Sequence, residues 1–152
     1  MANQQDFVRF SLGDLEFALA LASVERIVRA VAVTSLPGAP AAVLGVVNVH
    51  GDVLPVADMR QRFGLERRPV HPDDHLVLAR TARRRLALAV DEARGIVQCD
   101  EDEIISADTV VPGLEHVHGI ARTSGALLLI HDLDRFLGLG EEAALQQALD
   151  HG

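Results

Sequence analysis

The chain has 152 residues and a formal net charge of −8, with 22 Asp and Glu against 14 basic residues that are all Arg. Phosphate binding needs clustered positive charge, so this balance argues against nucleic acid as the main partner. Apolar residues make up 49% and aromatic ones 3%, all of them Phe, so the core is aliphatic; a chain of this length closes such a core without a disulfide, metal or cofactor.

The opening MANQQDF is polar and lacks the order of a secretory signal, and the single Cys99 excludes an intramolecular disulfide. Both point to a cytoplasmic address. Period-two alternation and short apolar runs predict strands over 7–12, 16–21 and 27–31. Residues 30–49 carry no charge, but Pro37, Pro40, Gly38, Gly45, Thr34, Ser35 and Asn48 interrupt them. That stretch reads as a loop feeding a buried strand, since a spanning helix is uniformly apolar. Further strands fall over 44–49, 53–56, 76–79, 86–90, 96–99, 117–121 and 127–130. Gly13-Asp14, Gly51-Asp52 and Ser124-Gly125 suit tight hairpins. Beyond Gly140, Ala144, Leu145, Ala148 and Leu149 recur at helical spacing behind Glu141 and Glu142, predicting an amphipathic helix over 141–151 that covers a barrel end.

The sequence also repeats itself. GVVNVHGDVLPVADMRQRFGL, 45–65, aligns without gaps on GIARTSGALLLIHDLDRFLGL, 119–139, with identities at Gly45/Gly119, Gly51/Gly125, Leu54/Leu128, Asp58/Asp132, Gly64/Gly138 and Leu65/Leu139. FALALASVERIVR from Phe17 echoes LALAVDEARGIVQ from Leu86. The pattern reads as a duplicated small barrel, with pseudo-repeats over 7–66 and 75–140. Gly51 and Gly125 then sit where a strand reverses, Asp58 and Asp132 cap helix starts, and Gly64 and Gly138 end those helices in the left-handed conformation. Capping accounts for the two Asp residues better than a catalytic carboxylate pair.

Chemistry-bearing patterns are weak. His71 and His75 in HPDDH flank a Pro-containing loop, and His116, His118 and His131 form a zinc site only if the fold gathers them. No GxSxG, P-loop or GxGxxG is present. Acidic neighbours of Cys99 raise its thiol pKa, and RTARRR, 80–85, reads as a solvated hairpin tip. A duplicated barrel without such chemistry is an interaction module whose inter-barrel groove suits a partner helix.

The motifs FSLGDLEFALAL, VERIV from Val24, LPGAPAAVLGVVNVHGDVLPVADMRQRFG, LALAVDEARGIV and GALLLIHDLDRFLG, spanning Phe7 to Leu139, resemble the CheW-like adaptors of bacterial chemosensory arrays. The resemblance implies an all-β fold with short helices, two five-stranded SH3-like barrels, no enzymatic activity and no cofactor. It implies as partners the regulatory domain of the histidine kinase CheA and the cytoplasmic tips of chemoreceptors, at the inner face of the cytoplasmic membrane. The positions matching the receptor groove are Val24, Arg26, Gly45, His50, Leu76, Ala87 and Ile96. Two depart from the family pattern: Arg26 stands where its VxEI motif has Glu, and His50 where its NxRG motif has Arg. Strict strand alternation would turn the neighbouring Glu25 to the opposite face. A ligand- or metal-binding barrel reusing the fold is the alternative class.

Overall fold

A computed structural model describes residues 4–106, 117–123 and 126–151. Its elements are β1 (Gln4–Leu12), β2 (Leu15–Ala20), β3 (Val24–Arg29), β4 (Val43–Val49), β5 (Asp52–Ala57), α1 (Met59–Arg62), β6 (His75–Arg80), β7 (Arg85–Val90), β8 (Glu92–Asp100), β9 (Ile104–Ser106), β10 (Val117–Thr123), β11 (Ala126–His131) and α2 (Leu139–His151). The ten expected strands are present, with ends shifted by up to a few residues, and β9 is added. His116, Ser124 and Gly125 lie outside the described residues.

The strands form two sheets, ordered β8-β1-β2-β11-β10-β9 in barrel A and β3-β6-β7-β5-β4 in barrel B. Neither repeat closes a barrel by itself, contrary to the expectation of one barrel per half. Each repeat gives its first two strands to one barrel and its later strands to the other. The exchange joints are the two parallel contacts, Ile130 opposite Ala18 in barrel A and Val56 opposite Ala87 in barrel B. In the repeat alignment these are the same pair of positions, so the exchange is reciprocal to the residue.

The interiors follow the same correspondence. Phe7, Ala18, Ala121, Leu128 and Ile130 fill barrel A, and Leu76, Ala87, Val47, Leu54 and Val56 occupy the matching places in barrel B. A third core lies between the barrels, where Phe10 and Phe17 stack at 5.8 Å and Phe17 meets Phe63 at 4.6 Å between ring centres. His131, 5.6 Å from Phe63, and Phe136, 5.9 Å from His131, extend this ring cluster. Helix α2 buries Leu145 and Ala148. It therefore roofs the central core rather than one barrel end. Ion pairs from Arg62 to Glu141 and Arg84 to Glu142 hold it down.

The matched glycines have a shared cause. Gly45 and Gly119 each follow a bulge in their strand. A Cβ at Gly45 would overlap the Thr34 carbonyl oxygen, and one at Gly119 would lie 2.8 Å from Ile104 Cγ2 and 2.9 Å from the Ile105 oxygen. Strand β9 crosses there in barrel A. In barrel B the single bridge between Thr34 and Val46 takes its place.

The caps match less well. Asp58 accepts a hydrogen bond from the Gln61 amide at 3.1 Å, and Gly64 at φ +69° closes α1 with Leu65 N–H bonded to the Arg60 carbonyl. Asp132 makes no side-chain cap: Arg135 N–H bonds to its backbone oxygen, and its carboxylate lies 3.4 Å from the Arg135 guanidinium. Gly138 does not end a helix either. Its φ is not positive, and it precedes α2, accepting from Glu142 N–H and donating to the Glu141 carboxylate at 3.0 Å, which is an N-cap arrangement. The turn between β4 and β5 is His50-Gly51, both at positive φ (+52° and +91°), rather than Gly51-Asp52.

Candidate functional site

Side chains on one face of a strand ladder alternate, so pairing register shows which charged residues share a barrel mouth. In barrel B, Arg26 pairs with Leu78, whose side chain fills the interior, so Arg26 projects on the same side of the sheet. Arg80 lies two residues beyond Leu78 on β6, Arg85 two before Ala87 on β7, and Asp52 opposite the interior residue Val49. These positions converge on one end of the barrel. Arg85 bonds Glu25 at 3.0 and 3.1 Å and lies 3.3 Å from Asp52, while Arg80 reaches Glu25 at 3.3 Å. Hydrogen bonding from Arg85 holds the Glu25 carboxyl below its ordinary range against desolvation, with Arg80 adding a smaller pull in the same direction.

Glu25 is the extra residue of a bulge, since Val24 faces Ala79 and Arg26 faces the adjacent Leu78. Strict alternation therefore does not apply between Val24 and Arg26, and the bulge brings Glu25 to the charged mouth beside Arg26. This corrects the expectation that Glu25 points away.

Barrel A has the corresponding mouth. Register places Glu16 at the position of Arg85 and Arg94 at that of Glu25, and these two lie 3.7 Å apart with Arg9 also bonded to Glu16. A shallow cleft lined by Arg9, Glu16, Arg94, Leu15, Leu127 and Leu129 opens there. The same ion pair closes both mouths with its charges exchanged. Nothing in the chemical motifs signalled this, but the aligned repeats place Glu16 over Arg85 and Glu25 over Arg94.

A second charged cluster ties the barrels together. Asp91, at the crossover from β7 to β8, accepts from Arg60 at 2.6 and 2.8 Å, from Arg68 at 2.7 Å and from the Gly13 amide of the β1–β2 hairpin at 2.7 Å. Arg68 also grips Asp74 with two bonds of 2.8 Å. Burial raises the Asp91 carboxyl, but the Gly13 amide and Arg60 together bring it below its ordinary value. Asp74 behaves likewise, with Arg68 and the His71 amide outweighing burial.

Of the seven groove positions, Arg26, His50 and Ile96 are exposed and Val24 is half-buried. Leu76, Ala87 and Gly45 are buried, the first two inside barrel B. They cannot meet a partner directly, because their side-chain positions face the interior; they form the wall behind it. Arg26 lies on end strand β3 of barrel B, and Ile96, 64% exposed, on end strand β8 of barrel A. In the repeat alignment Ile96 corresponds to Ile27, itself 40% exposed.

The remaining chemistry is structural. His71 Nδ1 accepts from the Asp73 amide and His75 Nδ1 from Ala93, and no group of three or more potential metal-binding side chains occurs among the described residues. Cys99 is buried, and burial first, then Glu103 and Asp100, push its thiol up. The arginines of 80–85 are not simply solvated, because Arg80, Arg84 and Arg85 are in ion pairs. Among the described residues no helix is long and apolar enough to cross a membrane.

A family model described as a CheW-like domain matches residues 6–144. The chain belongs to the CheW-like family. The chemotaxis protein CheW of Treponema pallidum is 24% identical over 91% of this chain and 85% of its own length. That of Helicobacter pylori is 28% identical over 86% and 80%. The crystal structure of the scaffolding protein TtCheW from Thermoanaerobacter tengcongensis superposes with a TM-score of 0.81 at 26% identity, covering 93% of this chain and 96% of that one. CheW-like proteins are non-catalytic scaffolds of chemotaxis signalling. Protein partners, rather than a substrate, follow from that role.

Proposed function

We propose that this CheW-like chain couples transmembrane chemoreceptors to the histidine kinase CheA, binding the kinase's regulatory domain and the cytoplasmic tips of the receptors, and that receptor arrays recruit it to the inner face of the cytoplasmic membrane. The observation that carries this reading is the family match over residues 6–144, joined to a closely similar scaffold structure over 93% of the chain. Arg26, His50 and Ile96 are the residues that contact the receptor, Val24 borders them, and Gly45, Leu76 and Ala87 shape the wall behind. Helix-in-groove docking of this kind needs an apolar edge with polar residues to fix its register; exposed Ile96 on the end strand of barrel A offers the first, and Arg26 and His50 of barrel B the second.

The test is co-purification of the full chain with a CheA regulatory domain and, separately, with a receptor-tip helical hairpin. Wild type retains both, and the Arg26→Ala, His50→Ala, Ile96→Ala triple variant keeps the kinase domain while losing the receptor tip. Failure of wild type to retain the kinase domain overturns the adaptor reading. Loss of both partners by a folded triple variant overturns the assignment of these residues to the receptor.

A further inference from the structure

The mouth of barrel B holds one more cation than its carboxylates can answer. Glu25 is shared by Arg80 and Arg85, and Asp52 is engaged by Arg85. Arg26, exposed on the end strand of the sheet, makes no ion pair among the described residues. His50 stands exposed on the two-residue turn that leads into Asp52, and the positive φ of +52° there fixes where its imidazole emerges. This excess of arginine over carboxylate occurs in a chain whose formal net charge is −8.

The unpaired arginine is specific to barrel B, because Arg9 and Arg94 at the mouth of barrel A are both in ion pairs. The repeat places Gly95 at the position of Arg26, and at φ +98° that glycine serves the bulge of β8 without contributing any charge. The strand architecture therefore does not call for an arginine at 26. Arg26 makes no ion pair within the described fold and stands exposed on the end strand. A charge left unanswered on an exposed strand edge selects partners by the sign of what they bring. Complementary charge speeds encounter and like charge suppresses wrong partners.

We infer that Arg26 sets the polarity of the partner surface, so that the receptor helix docking at β3 presents Asp or Glu to it. This rests on the adaptor reading above and adds the chemistry of the facing residues. An ion pair formed at an exposed edge is weak while both groups remain solvated, and gains as docking removes water from around it. Sign discrimination of about tenfold in affinity is the scale to expect.

The full-length protein is titrated with two versions of one receptor-tip helical hairpin, identical except that the solvent-facing positions at the tip are Glu in one and Lys in the other. Wild type, Arg26→Gln and Arg26→Glu are compared at low and high salt, with melting temperatures recorded for each. Wild type binds the Glu hairpin about tenfold more tightly, Arg26→Gln removes the preference and Arg26→Glu reverses it. High salt shrinks every difference. Unchanged melting temperatures show that the shift comes from the interface rather than from folding. Equal binding of both hairpins by wild type, or a preference that survives Arg26→Glu, overturns the polarity assignment and leaves the adaptor reading standing. Binding of neither hairpin by wild type overturns both.

Discussion

The two barrels use one strand order, one pair of bulges and one set of interior positions, yet they differ at their surfaces. Barrel A closes its mouth with Glu16 on the middle strand and Arg94 on the end strand, while barrel B places Arg85 and Glu25 at those positions. The difference teaches that the pairing, not the identity of either residue, belongs to the architecture. Beneath the surface both interiors keep Leu and Ala at matched places, Leu54 and Leu128, Ala18 and Ala87. Charge at the mouth is free to change as long as it changes in both partners, so this is where two copies of one unit can acquire different contacts without losing stability.

The strongest way to break the comparison is to separate the repeats. A chain ending at Val70 keeps β3, β4 and β5 but lacks β6 and β7, which pair between them, and leaves β1 and β2 without β8 and β11. Such a fragment shows no cooperative thermal transition by calorimetry; a sharply melting soluble fragment would falsify the exchange as the source of stability. Next in size is Gly45→Ala, expected to cost about 2–3 kcal/mol because the obstacle is a backbone carbonyl. Gly119→Ala costs less, about 1–2 kcal/mol, because its backbone obstacle, the Ile105 oxygen, stands farther from the added Cβ than the Thr34 oxygen does at Gly45, and urea unfolding midpoints rank the two.

Acid sharpens the contrast at the joint between barrels, where Asp91 has only Ala22 as its repeat counterpart. The folded carboxyls of Asp91 and Asp74 lie below their unfolded values. In that window the unfolded state binds more protons, so their contribution is full above the ordinary carboxylate range and is lost as pH falls through the depressed folded values. Asp91→Asn should therefore lower stability by about 1–2 kcal/mol at pH 7 and by much less near pH 3. A deficit of equal size at both pH values would assign the loss to packing instead. The smallest effect separates the aligned caps: Asp58→Ala costs about 1 kcal/mol and Asp132→Ala a few tenths, since only Asp58 bonds a helix amide. Equal losses in thermal unfolding would mean that the Asp58 cap bond contributes nothing of its own.

Much of this molecule was legible in its sequence because alternation and repetition are local signals. The strands around Phe10, Leu54 and Leu128 declared themselves by periodicity, and the identities at Gly45/Gly119 marked places where another segment crosses. The exchange of strands was not legible, since aligned repeats say which positions correspond and not which of them pair. Gly138 misled for a related reason. Its alignment partner Gly64 ends a helix, but in the second copy the chain runs straight on into α2, and the same residue starts a helix instead. At the candidate site, the charge of Arg26 could be read from the sequence while its setting could not, because a bulge at Glu25 depends on how β3 meets β6. The Asp91 cluster joins residues from four separate stretches with no common spacing.

The reciprocal exchange also dictates an order of events during synthesis. Every strand of barrel B has been made once Val90 emerges, so that barrel can close while the remainder of the chain is still being translated. The β1–β2 hairpin, made first, has to wait for β8 and β11 before it gains a neighbour on either side. Isolated two-stranded hairpins are marginal in water, so the earliest part of the polypeptide is among the last to be secured, and its unpaired edges stay open to other chains throughout that interval.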